Sequence, residues 1–309
     1  MAKVSIIVPC FNEEEALPLF FSATKKATSK IPAEIEYWFI DDGSKDKTLS
    51  IIQKLRTQND QGVHFISFSR NFGKEAAMYA GLQAATGDYV AIMDADLQDP
   101  PELLQQMYVL LKNDQYDCVG ARRISRTGEG KLKSFFAKLF YTIINCVSDT
   151  KIVPDVRDFR MMTRKFVDSV LQLPEYHRFS KGIFSWVGFK TKYLTYSNRN
   201  RVAGNSHWSI WGLFRYALDG IIDFSAAPLS LAIWLGLGSA FISFVGLIVV
   251  IIRHFVNPQA SAFGWSSLVC ILLMISGVQL FCLGIAGKYI GRIYLQAKHR
   301  PVYIVKIKK

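Results

Sequence analysis

The stretch Gly87-Asp88-Tyr89-Val90-Ala91-Ile92-Met93-Asp94-Ala95-Asp96-Leu97-Gln98-Asp99-Pro100-Pro101 decides how this chain is read. Tyr89 to Met93 is a short apolar run of the kind a buried strand shows. It ends in Asp94-x-Asp96, with Gln98 and Asp99 just beyond. Carboxylates leaving the end of a buried strand stand at the mouth of a sheet, where α/β folds bind ligands. Two like charges so close repel, and each resists ionisation. A divalent cation removes that cost, and hard oxygen donors suit Mg²⁺ or Mn²⁺. Asp99 has a plainer reading as a helix N-cap. Pro100 can take the first helical position, and Leu103, Leu104, Met107, Leu110 and Leu111 then share one face. A cap leaves Asp94 and Asp96 unexplained, so those two are read as a metal site.

Outward from that stretch, strands and helices alternate. Lys3 to Pro9 is a buried first strand, Cys10 to Glu14 a turn, and Glu15 to Lys26 a helix. Ile35 to Ile40 is a second strand ending in Asp41-Asp42-Gly43-Ser44, and Ser44 to Arg56 is helical. Val63 to Phe68 is a third strand, and Lys74 to Ala85 a helix closed by Gly87. This alternation predicts an α/β domain with a mostly parallel sheet. The dinucleotide pattern GxGxxG is missing. Instead Glu13, Asp41-Asp42 and Asp94/Asp96 stand at three strand ends. Together they suit a nucleotide, because carboxylates accept hydrogen bonds from a base edge and from ribose hydroxyls. Lys74, at a helix start, adds positive charge for a phosphate.

The 309 residues carry a net charge of +12, which points to anionic partners. The five cysteines are odd in number and widely spaced, with no CxxC. That argues against a disulfide framework and against a zinc site, and fits a reducing compartment. No signal peptide precedes the first strand. From Ala226 onward there is no Asp or Glu. Pro228 to Ile252 is uncharged, and its 25 residues reach about 37 Å as a helix, enough to span a bilayer. Phe263 to about Ala286 is a second such run. The tail holds Lys288, Arg292, Lys298, Arg300, Lys306, Lys308 and Lys309, whereas the loop between the runs holds only Arg253. The positive-inside rule therefore puts both ends in the cytoplasm. The expected organisation is a globular domain over 1–206, an interfacial helix over 207–225, and a membrane part over 226–309 with two spans and a basic tail.

Ile7-Val8-Pro9-Cys10-Phe11-Asn12-Glu13, Asp41-Asp42-Gly43-Ser44 and Asp94-Ala95-Asp96-Leu97-Gln98-Asp99-Pro100-Pro101 together resemble family 2 glycosyltransferases. More narrowly, the chain is similar to the polyprenyl-phosphate sugar transferases: the dolichyl-phosphate mannose synthases and, nearer, the bactoprenol glucosyltransferases. Ser69 to Lys74, Asp158-Phe159-Arg160, Arg178-Phe179, Gly182 and Trp186 to Phe189 belong to the same pattern. The resemblance implies a GT-A fold and an inverting transfer from a nucleotide sugar, a UDP-sugar foremost, to a polyprenyl phosphate such as undecaprenyl phosphate at the plasma membrane. It implies that Pro9, Phe11, Glu13 and Asp41 hold base and ribose. It also implies that Asp94, Asp96 and Gln98 hold the metal and diphosphate, that Asp158 is the catalytic base, and that the protein self-associates. The Asp155-Val156-Arg157 lead-in departs from the small residues usual there, and His207 stands where relatives carry Lys.

From Arg122 to Arg201 the chain has 17 Lys or Arg against 6 Asp or Glu. A basic loop and an amphipathic helix from Lys133 to about Val147 suit a membrane surface. Arg122, Lys133, Arg178 and Arg201 are the candidates to receive the acceptor phosphate. The membrane runs account for the charge better than nucleic acid does. A processive polysaccharide synthase is the alternative enzyme, disfavoured by only two spans and no Gln-x-x-Arg-Trp. A silent nucleotide-sugar-binding scaffold is disfavoured by the intact acidic set.

Overall fold

The computed structural model describes residues 1–59, 62–124, 141–142, 144–146, 151, 153–197, 220–223, 225–256 and 264–309. Lys133, Arg201, His207, most of the basic amphipathic helix and most of the expected interfacial helix lie outside the described residues. The alternating half runs β1 (Lys3–Cys10), α1 (Ala16–Thr28), β2 (Glu34–Asp41), α2 (Thr48–Gln58), β3 (Val63–Phe68), α3 (Lys74–Ala84), β4 (Tyr89–Ile92), α4 (Leu103–Lys112) and β5 (Cys118–Arg123). Then come β6 (Val156–Thr163), α5 (Arg164–Leu171), α6 (Ser180–Trp186) and β7 (Thr191–Tyr196), followed by α7 (Ala227–Val256), α8 (Trp265–Ala297) and β8 (Val305–Lys308).

Among the described residues the strands form one eight-stranded sheet, ordered β7-β5-β6-β4-β1-β2-β3-β8. The central strands β4, β1, β2 and β3 are parallel. Such strands are buried on both faces, so they are apolar almost throughout. Val4, Ile6 and Val8 pack on one side with Leu17, Phe20, Ile52, Leu104 and Met107 from α1, α2 and α4. Ile7, Trp38 and Ile40 pack on the other with residues of α3, α5 and α6. Helix α3 lies so close that a Cβ on Gly81 would come within 2.2 Å of Ile7 Cγ2.

Register places the chemistry. Cys10 lies opposite Asp41, and Ile7 opposite Ile92, so the ends of β1, β2 and β4 open on one edge. β6 runs antiparallel to β4 with Arg160 opposite Ile92. Asp158, two residues earlier, therefore lies beyond the end of β4 on the side of Asp94.

Two boundaries differ from expectation. α2 starts at Thr48 rather than Ser44, because the 44–47 segment bonds to the first turn instead. Asn12 N–H donates to Ser44 Oγ (3.0 Å), and Asn12 Oδ1 accepts from Lys45 N–H (2.9 Å). α4 starts at Leu103 with Glu102 at the N-cap and no side-chain cap. Asp99 is thus not the cap.

α7 and α8 are long and apolar enough to cross a membrane. Their windows Ala227–Gly246 and Ile271–Ala297 have mean hydropathy 1.8, and neither is buried within the chain. α8 outruns the expected end near 286 by two helical turns and more. It stops where His299 turns left-handed (φ 48°) ahead of Pro301. The tail beyond it is not a free basic extension: β8 pairs antiparallel with β3, Ser67 opposite Ile307. The chain beyond α8 thus returns to the edge of the globular domain's sheet.

Candidate active site

The acidic edge is assembled from three turns that hold one another. Asp41 is 1% exposed and accepts from Ser44 N–H (3.0 Å) and Ser67 Oγ–H (2.7 Å). Asp42 turns away from the edge and accepts the amides of Phe72 (2.6 Å) and Gly73 (2.9 Å). Burial pushes its carboxyl up to about 6, with those amides and Arg70 opposing and Asp41 adding. Gly43 makes this reach feasible. Its φ is +68°, and a Cβ there would lie 2.5 Å from the Arg70 carbonyl carbon. The bonds of Asp42 thus fix the loop that delivers Lys74. Among the residues expected to bind nucleotide, Asp42 has a backbone-holding task, while Pro9 and Asp41 stand at the carboxyl ends of β1 and β2, with Phe11 and Glu13 in the turn after β1. Burial pushes the Cys10 thiol well up, and the charges of Glu13, Asp41, Asp94 and Asp46 add to it.

Lys74 is the hub. Its Nζ lies 2.7 Å from Asp94 Oδ1 and 2.5 Å from Asp158 Oδ2. Burial alone would lower its pKa, but the charges of Asp158 and then Asp94 hold it well above the ordinary lysine range. Asp158 is the mirror case. Burial would raise it, yet Lys74, Lys181 and Arg160 hold it well below the carboxylate range. Arg160 is 3% exposed and does not bond the Asp158 carboxylate. It donates to the backbone carbonyls of Asp158 (3.4 Å) and Arg157 (3.2 Å) and stacks on Phe184.

The Asp96–Asp99 turn is held from beneath. Asp96 is 4% exposed and accepts from Gln98 N–H at 3.1 Å. Leu97 takes a left-handed backbone (φ 55°), a conformation that costs a bulky residue energy and that clusters at functional turns. Arg157 donates to Asp99 Oδ1 (3.2 Å) and Gln98 Oε1 (3.0 Å), and Tyr196 hydroxyl donates to the same Asp99 oxygen. Burial raises the Asp99 carboxyl, Arg157 opposes, and Asp94 and Asp96 push it further up. Its Oδ2 is buried without a hydrogen-bond partner. The turn therefore carries surplus negative charge and spare acceptor capacity on hard oxygens, a fit to a divalent cation. Among the described residues no three His, Cys, Asp or Glu side chains form a complete cage.

Of the phosphate-receiving candidates, Arg122 lies on β5 opposite Val156, on the sheet face that carries Asp158 and Arg160. Arg178 is 8% exposed and donates to Leu173 O (2.6 Å), with its guanidinium over Tyr79. Those internal partners make it a brace for α3, not an open phosphate receiver. Sequence reasoning missed Glu75, Lys181, Arg157 and Tyr196. Glu75 accepts from Ser180 N–H (3.1 Å) and from the Ser180 hydroxyl. Burial and then the Asp158 charge push its carboxyl up to about 7. An acid one residue after a helix start reads as solvated, so no local signal marks it. Arg157 was visible only as a departure from the family pattern.

A parallel core sheet with acids on its carboxyl edge, one lysine paired between two of them and a cation-ready turn is the frame of a nucleotide-dependent transferase. The chain belongs to glycosyl transferase family 2, whose model matches residues 5–171. It is 44% identical over 309 residues to the bactoprenol glucosyl transferase of Shigella phage SfV, covering 99% of each chain. It is 41% identical over 304 residues to the prophage bactoprenol glucosyl transferase homolog of Escherichia coli K12, covering 98% of each. Among solved structures, the glucosyl-3-phosphoglycerate synthase of Mycobacterium tuberculosis in complex with Mn²⁺, UDP and phosphoglyceric acid shares the fold. The TM-score is 0.51 at 15% identity, covering 72% of this chain and 76% of that one.

Proposed function

We propose that this glycosyltransferase moves a sugar from a nucleotide sugar to a polyprenyl phosphate at the cytoplasmic face of the plasma membrane, with inversion. The names of the bactoprenol relatives, similar over nearly the whole chain, support the acceptor class. The observation that carries the reading is Lys74 held between Asp94 and Asp158 at an edge whose chain continues into two apolar helices. One cation between a donor-side and an acceptor-side carboxylate suits a reaction between two phosphate-bearing substrates.

An oxygen of the acceptor phosphate attacks the anomeric carbon as the bond to the nucleoside diphosphate breaks. A phosphate monoester has a second pKa of about 6 and is largely dianionic at pH 7. Little deprotonation is needed. Asp158, held far below the usual range, is a weak base in this state. Its role is to hold Lys74 and Lys181 toward the phosphates. A donor diphosphate would draw Lys74 away and so raise the proton affinity of Asp158 as the acceptor arrives. Asp94 and Asp96, with Gln98, would hold Mg²⁺ or Mn²⁺; the Mn²⁺ in the glucosyl-3-phosphoglycerate synthase complex supports that choice. Such an ion, when bound, neutralises charge growing on the departing diphosphate. Glu13 and Asp41 would accept from base and ribose beside Pro9 and Phe11, and Arg122 would meet the acceptor phosphate.

The membrane reading rests on α7 and α8 and on the lysine and arginine excess at the tail. The pairing of β8 with β3 puts the tail on the side of the sheet, as two spans require. The test is a panel of nucleotide sugars offered to the full chain in vesicles containing undecaprenyl phosphate with Mn²⁺ or Mg²⁺. The expected result is a lipid-linked sugar with one donor, UDP-glucose first. Nucleoside diphosphate release independent of the lipid, or no lipid product with any donor, would overturn the reading.

A further inference from the structure

The last turn of α8 and the segment that leaves it grip both loops that place Lys74. On one side, Ile304 O accepts from Ser69 N–H at 3.0 Å, at the start of the loop leading to Lys74. Tyr303 stacks on Phe68 (4.8 Å between centroids), and Phe68 meets Phe72 edge-on (5.8 Å). Tyr303 hydroxyl donates to Gln83 Oε1 (2.8 Å) on α3 itself. Phe72 and Gly73 are the residues whose amides Asp42 holds. On the other side, the Gln296 side chain, in the last turn of α8, clamps the 174–176 strand of loop. Its Nε2 donates to Pro174 O (3.1 Å), and its Oε1 accepts from Tyr176 N–H (2.8 Å). That loop runs on to Ser180, which holds Glu75, the neighbour of Lys74. The root of the hairpin is itself fastened. Arg292 pairs with Asp223 at 3.4 Å, and Tyr289 hydroxyl donates to Ser225 O at 2.6 Å.

We propose that Gln296 and Tyr303 are positioning residues for Lys74, through which the membrane hairpin sets the geometry of the sugar-transfer site. The inference rests on the transferase reading above and on α7 and α8 as membrane spans. Neither side chain touches the site; each acts through a loop that bounds α3. A catalytic ammonium between two carboxylates tolerates little displacement, since misplacement by about 1 Å can cost up to about a hundredfold in rate. Seating of the hairpin in a bilayer then tunes turnover more than donor affinity, because Pro9, Phe11, Glu13 and Asp41, proposed to meet base and ribose, lie on β1, β2 and the turn after β1, outside the gripped loops.

The test compares wild type, Gln296→Ala, Tyr303→Ala and Tyr303→Phe as full chains in vesicles with polyprenyl phosphate. Initial rates against donor concentration, hydrogen exchange of the 69–76 backbone and thermal midpoints are read together. The expected result for Gln296→Ala and Tyr303→Ala is a kcat loss of about tenfold with donor KM within about twofold. Exchange at 69–76 rises, and the thermal midpoint stays near wild type. Tyr303→Phe keeps the ring stack on Phe68 and retains most of kcat. Wild-type kcat in both alanine variants, or a loss that tracks the thermal midpoint with unchanged exchange at 69–76, overturns the proposal. If the wild type makes no lipid-linked sugar, the transferase reading fails, and the exchange at 69–76 still decides the positioning claim.

Discussion

The two ends of β1, β2 and β4 each bury carboxylates, and they solve the problem differently. At the amino ends Glu36 is 2% exposed and fully occupied. It accepts from the Ser5 hydroxyl (2.5 Å), the Lys3 ammonium (2.7 Å) and the Thr86 amide (3.0 Å). Burial would raise its pKa, but these bonds bring it down to about 2. At the carboxyl ends Asp94, Asp96, Asp99 and Asp158 share Lys74 and Arg157. Asp99 is pushed up and keeps an unpartnered oxygen. A closed cluster of this kind supports the fold, because every charge is paid with a local partner. An open one keeps unmet electrostatic demand that a cation and a phosphate can satisfy.

The largest expected effect separates the ends by activity. Asp158→Asn or Lys74→Met should cut sugar transfer by about 10²–10⁴-fold, while the chain still folds. Initial rates of lipid-linked sugar alongside thermal unfolding measure this, and a collapse of the fold in Asp158→Asn would erase the contrast. The reverse pattern is expected at the amino ends. Glu36→Gln should cost about 3 kcal/mol of stability and leave the rate per folded molecule unchanged, as read by denaturant titration with an active-site count.

pH sharpens the comparison because the signs differ. Glu36 is depressed from 4.5 to about 2, so its contribution is present above 4.5 and is lost as pH falls through 2. Glu75 is raised from 4.5 to about 7, so the folded state binds its proton more tightly. Its contribution is present below 4.5 and is lost as pH rises through 7. Glu75→Gln should therefore flatten the stability profile between pH 4.5 and 7, measured by unfolding at a series of pH values; an unchanged slope contradicts the assignment. The smallest effect is at the brace. Tyr196→Phe removes one bond to Asp99 and should cost about 1 kcal/mol, with activity retained.

Much of this was legible in the sequence because it is written locally. The apolar runs at Val4, Tyr37, Phe65 and Val90 mark the strands, and the acids following them mark the edge. Asp94 and Asp158, 64 positions apart by number, meet because β6 runs antiparallel to β4, and the family resemblance supplied that meeting where the spacing did not. What escaped depends on tertiary pairing. Asp99 followed by two prolines has the pattern of a cap, and only Arg157 and Tyr196, arriving from β6 and β7, claim it instead. Arg178 has the pattern of a phosphate receiver until Tyr79 covers it. Val305-Lys306-Ile307-Lys308 alternates with the period of a strand, yet its lysines merged with the basic tail.

The account turns on the proposed cation at Asp94 and Asp96 offsetting the charge of the diphosphate as it leaves. The direct measurement is transfer of labelled sugar to undecaprenyl phosphate in vesicles by wild type and Asp96→Asn, each before chelation, after it, and after Mn²⁺ is restored. The account predicts a wild-type rate that falls about a hundredfold or more on chelation and returns with the ion. It also predicts an Asp96→Asn rate that is low throughout and barely responsive. A folded Asp96→Asn protein that transfers sugar at the wild-type rate under strong chelation would contradict it.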